Sequence, residues 1–253
     1  MRKGFTLVEV SIVLVIIGLL IGGILVAKSM VRTAKINAQI QQLQQFDIAV
    51  TQFREKFQQL PGDSSLFSPA GNNNRIIDGG DWWGGVAIFP WLVATEAGNF
   101  WKHMSDSRVI PTTFSAVDPS VGVVPDLSIP KAKIGIRGTV VVGTSIRSNG
   151  YAQDHIGDWW VLCYRSIPHG NSRFCGGISG QYSYDTSLLA SDASALDLKL
   201  DDGNPDLGIV LAGSIPGGDA HTSCASGGVY LTSQSRPYCG LHIKMFGISH
   251  ASP

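Results

Sequence analysis

Glu9 is the only charged residue in a run that is otherwise apolar or neutral from Leu7 to Ala27. An ionised carboxylate in hydrocarbon costs at least about 2.5 kcal/mol. The chemistry implied is therefore ion pairing with a buried cation, with a carboxylate snorkelling to the interface from the helix end as the plainer alternative. Four cysteines, Cys163, Cys175, Cys224 and Cys239, all lie in the C-terminal half. No C-x-x-C occurs, so the set reads as disulfides formed in an oxidising compartment and not as a zinc or redox site. Of three connectivities, the two short loops Cys163–Cys175 and Cys224–Cys239 are the expected pairs. Asp63, Asn72, Asn74, Asp78 and Asp81 offer the hard oxygens that Ca²⁺ takes. Their spacing is not that of an EF-hand, and Asn, Gly and Asp clusters are also turn chemistry. Asp201, Asp202, Asn204 and Asp206, with Asp197 one turn earlier, carry the same two readings, the helix-ending turn being preferred. Trp82-Trp83 and Trp159-Trp160 each follow Gly-Asp and suit either sugar stacking or sheet packing. The six histidines lack ligand spacing, no G-x-S-x-G is present, and Ser128-Ile129-Pro130-Lys131 lacks its companion motifs. No enzyme is expected.

The acid has a specific setting. Met1-Arg2-Lys3-Gly4 is a short basic leader, followed by Phe5-Thr6-Leu7-Val8-Glu9 and then by residues 10–27 without a charge. A secretory signal would be cut after its apolar run, yet Ala27-Lys28-Ser29 is a poor small-x-small site. Gly4-Phe5-Thr6-Leu7-Val8-Glu9 ahead of this run resembles the processing site of type IV prepilins and the pseudopilins of type II secretion. The resemblance implies cleavage after Gly4 by prepilin peptidase, N-methylation of Phe5, and assembly of the apolar helices into a filament core. It implies as partners other pilin or pseudopilin subunits, an inner-membrane assembly platform and the lipid bilayer. The new Phe5 amine of one subunit would then neutralise Glu9 of its neighbour. Where major pilins commonly carry Pro, this chain has Gly22-Gly23, a soft point and not a fixed kink. Leu60-Pro61-Gly62-Asp63, the Asn- and Gly-rich loop and residues 198–205 are similar, more loosely, to prepilin-type proteins with large variable domains.

These residues need elements to hold them. Ile36, Ile40, Leu43, Phe46, Val50, Phe53, Phe57 and Leu60 recur at spacings of three and four, the stripe of an amphipathic helix docked on a domain; a coiled-coil seam is the competing reading. Pro61-Gly62 ends it. One helix over residues 5–60 would be roughly 80 Å long. Strands are expected at 133–142, 158–164, 208–212, 228–232 and 241–246, and helices at 89–97 and 184–200. The fold class is α+β, with an antiparallel sheet laid on the long N-terminal helix. The expected organisation is a leader at 1–4, a transmembrane and filament-core helix at 5–27, an amphipathic continuation at 28–60, and a globular periplasmic or extracellular domain at 61–253.

The chain has 253 residues, 19 basic and 19 acidic, with 30 Gly and 12 Pro. Loss of Arg2 and Lys3 would leave 17 basic against 19 acidic residues, so nucleic acid is not an expected partner. Arg2 and Lys3 favour a cytoplasmic N-terminus, Lys28, Arg32 and Lys35 pull the other way, and the cysteines decide for an exported C-terminal domain. The expected location is the inner membrane, single-pass, then a pilus or pseudopilus. In a filament the three stalk cations would face acids on neighbouring domains. The function expected is that of a minor pilin or a pseudopilin; the alternative is a membrane-tethered binding protein for carbohydrate or calcium that never polymerises.

Overall fold

A computed structural model describes residues 6–77, 86–87, 96–116, 124–135, 138–145, 157–164, 188–213, 224–235 and 239–245. Its first element is one uninterrupted helix, α1 (Leu7–Phe57). Thr6 opens it with extended backbone, and its hydroxyl accepts from the Glu9 N–H, while the Glu9 carboxylate accepts from the Thr6 N–H. That reciprocal pair is a capping box, which satisfies two of the amides that a helix start leaves over. Gln58 closes the other end in the left-handed region, φ 55°, with its N–H on the Arg54 carbonyl, and Pro61 follows.

The stripe predicted from the sequence is the face that packs. Ile36, Leu43, Val50, Phe53 and Leu60 are buried, with Ile40, Phe46 and Phe57 half-buried against them. Two glutamines lie on the same face. Gln39 accepts from the Lys133 N–H at 2.6 Å and donates to Gln42, which in turn donates to the Lys131 carbonyl at 2.9 Å. Buried amides are tolerated when their groups are met in this way.

The sheet facing this helix has five strands in the order β1 (Val86–Ala87), β2 (Gly138–Ser145), β3 (Gly157–Tyr164), β7 (Gly240–Lys244) and β4 (Val210–Gly213), every pair antiparallel. Register places Val140 opposite Leu162, Val142 opposite Trp160, Trp160 opposite Ile243 and Ile243 opposite Val210. All of these are buried, as expected when side chains alternate across a pleated sheet. Trp160 reaches α1, its ring 5.7 Å from Phe46 and its Nε1–H donating to Asp47 at 2.8 Å. Phe100 and Trp101 of helix α2 (Glu96–Asp106) complete the aromatic cluster, with Trp101 stacked on Trp160 at 5.6 Å. A second small sheet pairs β5 (Ala225–Ser226) with β6 (Val229–Tyr230), and helix α3 (Ala190–Leu200) lies beside it and α1.

The architecture is α+β and pilin-like, as expected. Boundaries moved in two places. The strand expected from 133 begins at Gly138, because the Lys133 N–H is taken by Gln39 and Gly135 sits at φ 82°. The second helix starts at Ala190 and not at 184; Leu188 instead exchanges both backbone hydrogen bonds with Cys239 at 3.0 Å. The helix expected at 89–97 overlaps α2 only at Glu96 and Ala97, and residues 88–95 lie outside the described set.

Candidate functional site

Helix α1 meets two different surroundings. From Leu7 to Lys35 every residue is exposed, with Leu7 at 86% and Leu19 at 72%, and the first buried position is Ile36. By length and composition α1 can cross a membrane. Gly18 and Gly22 are four residues apart on one face, and a side chain placed at either, or at Gly23, would meet nothing of this chain. Their smallness therefore does not serve packing within the chain. At the head of this exposed segment stands Glu9, whose carboxylate also accepts from the Thr6 hydroxyl at 2.8 Å. Thr6 escaped the sequence reading, although Thr-x-x-Glu at a helix start is a recognisable signal. Gly4 and Phe5 lie outside the described residues.

At the junction between exposed and packed halves, Arg32 pairs with Asp192 of α3, and Lys199 donates to Asn37 at 2.9 Å. Arg32 thus meets an acid of its own domain.

The loop after α1 gathers Asp63, Asn72 and Asn74. Asp63 is fully buried, and its two carboxylate oxygens accept from the Asn74 and Arg75 N–H groups at 2.9 and 2.8 Å. Asn72 and Asn74 side chains accept from amides two residues on, the pattern of Asx turns. Glu96, at the start of α2, accepts from the Asn72 N–H at 2.7 Å. In this arrangement the loop's oxygens serve its own backbone. Asp78 and Asp81 lie outside the described residues, as do the side chains of Trp82, Trp83 and Trp159, whereas Trp160 is core.

A second acidic group, Asp197, Asp201 and Asp202, brings one oxygen from each residue within 4.8 Å, a set able to hold a cation. Asp197 is buried; it accepts from the Tyr230 hydroxyl at 2.8 Å and from the Gly203 N–H at 3.2 Å. Burial pushes its carboxyl up to about 6, opposed by those two hydrogen bonds and aided by Asp201 and Asp202. Burial, with Asp197 alongside, pushes the Tyr230 hydroxyl well up. Asp201 accepts from the Ile209 and Val210 N–H groups, so this loop too is closed by a carboxylate. The helix-ending turn read from the sequence is what these contacts build.

Cys224 and Cys239 form a disulfide, with Cα atoms 5.0 Å apart. Cys175 and the side chain of Cys163 lie outside the described residues. Ser128 and Lys131 do not face one another as a catalytic pair would: the serine hydroxyl bonds Val124 and the lysine pairs with Asp126.

The comparisons with known proteins bear on the first segment. No curated protein matches the chain, and no solved structure does. Residues 1–25 match the family described as the prokaryotic N-terminal methylation motif. With the exposed apolar helix and the α+β domain behind it, the chain therefore carries the prepilin-type cleavage motif of type IV pilins and pseudopilins, a mark of structural subunits and not of enzymes.

Proposed function

We propose that this chain is a filament subunit, a minor pilin of a type IV pilus or a pseudopilin of a type II secretion system. Prepilin peptidase cuts after Gly4 and Phe5 becomes N-methylated. The subunit waits in the inner membrane through residues 5–27, with residues 61–253 in the periplasm, where Cys163 pairs with Cys175. An assembly platform then passes it into the filament. One observation carries this reading: the methylation motif heads a helix whose apolar half is wholly exposed and holds a single acid. Other helices of the same kind would cover that surface, and Gly18 and Gly22 permit close approach. Glu9 is held by its own Thr6 before assembly, one residue from the future Phe5 amine. In the filament the neighbour's amine becomes its partner, a pairing whose loss strands a charge at a cost of about 3–5 kcal/mol.

Mass spectrometry of membrane-extracted protein should give a chain starting at N-methylated Phe5. Glu9→Ala should keep the domain's disulfides and protease resistance but incorporate poorly into sheared filaments, and Glu9→Asp should be impaired as well. An intact Met1 in cells with an active peptidase would sink the processing claim. Normal incorporation of Glu9→Ala at normal abundance would favour the tethered binding protein instead.

A further inference from the structure

His103 of α2 is fully buried, yet it makes hydrogen bonds outside its own helix through both ring nitrogens. Nδ1 accepts from the Gly62 N–H at 2.9 Å, and Nε2 lies 2.7 Å from the Pro69 carbonyl. Since an amide can only donate, Nδ1 is the unprotonated nitrogen, and Nε2–H is the donor to Pro69. One neutral imidazole thus ties two points of the loop that follows α1. Phe67 lies between them in sequence, its ring 5.4 Å from the imidazole and 5.0 Å from Phe57 in the last turn of α1. Gly62 itself sits at φ 85° against the Glu96 carbonyl, where any side chain would collide. The loop therefore has no room to slide and keep the bond.

We propose that His103 is an acid-released latch holding loop 61–77 to α2, at the joint between the long helix and the domain. A second proton would go to Nδ1, turning the acceptor of the Gly62 amide into a donor facing a donor. It would also place an ionised group in a site from which water is excluded. Both effects oppose charging, and burial is the main reason that the imidazole titrates below its ordinary range, against the pull of the Pro69 carbonyl and Asp106; Lys102 adds to the downward shift. The charged groups around the latch, among the described residues, are Lys102 and Asp106 on α2, Asp63, Arg75 and Glu96 about the loop, and Lys56 over the Phe57 ring. The folded state binds the proton less readily than the unfolded chain, whose histidines titrate near about 6.5. The latch is therefore closed above that pH and loses its hold as pH falls below it.

Hydrogen exchange by mass spectrometry on the full chain in detergent, corrected for intrinsic rates, tests this between pH 7.5 and 5.0. Protection across 61–77 should fall at least tenfold while residues 36–57 of α1 keep theirs. Exchange at the imidazole C2–H in the same samples reports the titration of His103, and its midpoint should coincide with that of loop opening. Asp63 and Glu96 also hold this loop through carboxylates, and His103→Gln separates them: its amide oxygen can still accept from Gly62, so its loop should stay protected at pH 5.0. Equal protection of the native loop at both pH values, non-coincident midpoints, or the same acid loss in His103→Gln would each overturn the proposal. The midpoint comparison needs only native protein, so a poorly folding variant leaves the test intact.

Discussion

Residues 7–35 and 36–57 share one helix, one handedness and one unbroken ladder of hydrogen bonds, but they are written for different solvents. The first half is exposed throughout and carries no charge from Val10 to Ala27, and near its end Arg32 pairs with Asp192 of the domain. The second alternates, with Phe53 fully buried and Gln41, Gln44, Gln45 and Gln52 outward. Continuity of the backbone does not imply a common source of stability. An all-round apolar helix needs a cover from elsewhere, whereas an amphipathic one is held by what lies beside it.

Paired substitutions would break that contrast most directly. Phe53→Ala should cost about 3–5 kcal/mol, read as the urea midpoint of the full chain in detergent by tryptophan fluorescence. Ile17→Ala, about half exposed, should stay within about 0.5 kcal/mol. Similar losses at the two sites would mean that the halves are not separate. Gln39→Ala should fall in between, at about 1–3 kcal/mol, because the part-buried Lys133 amide and the Gln42 oxygen lose their partner; faster exchange at 131–133 would locate the damage. Arg32→Ala marks the border and should have a small effect, about 0.2–1 kcal/mol at low salt, shrinking toward zero near 1 M salt. A loss unaffected by salt would assign Arg32 a packing role in place of an electrostatic one.

The contrast was legible in the sequence, because period 3.6 and an uninterrupted apolar run are both local signals. So were four of the five strands of the main sheet and β6 of the small one, from their β-branched and aromatic runs, and the Cys224–Cys239 pair, whereas the two-residue β1 and β5 were not. What escaped was of two kinds. Contacts between residues far apart in the chain have no local signature: Asp47 with Trp160, His103 with Gly62 and Arg32 with Asp192 are 113, 41 and 160 residues apart. The oxygens of Asp63 and Asp201 were legible only as an ambiguity, because a carboxylate that closes a loop on its own amides has the same neighbours in sequence as one that awaits a cation. At the proposed assembly site, Glu9 stood out by its charge, while Thr6 was passed over although its spacing from Glu9 was visible.

The way α1 is fastened to the domain has a mechanical consequence. Arg32, Gln39, Gln42 and Asp47 grip α3, the 131–133 segment and β3 over a span of roughly 22 Å of helix at 1.5 Å per residue. A pull along the helix is thereby divided among several rivets and does not fall on one hook. Two of the four rivets are uncharged amides, so their grip does not depend on the ionic strength outside. Loss of any single rivet should weaken the seam without opening it, and tension applied at the N-terminal end would reach the domain as distributed shear.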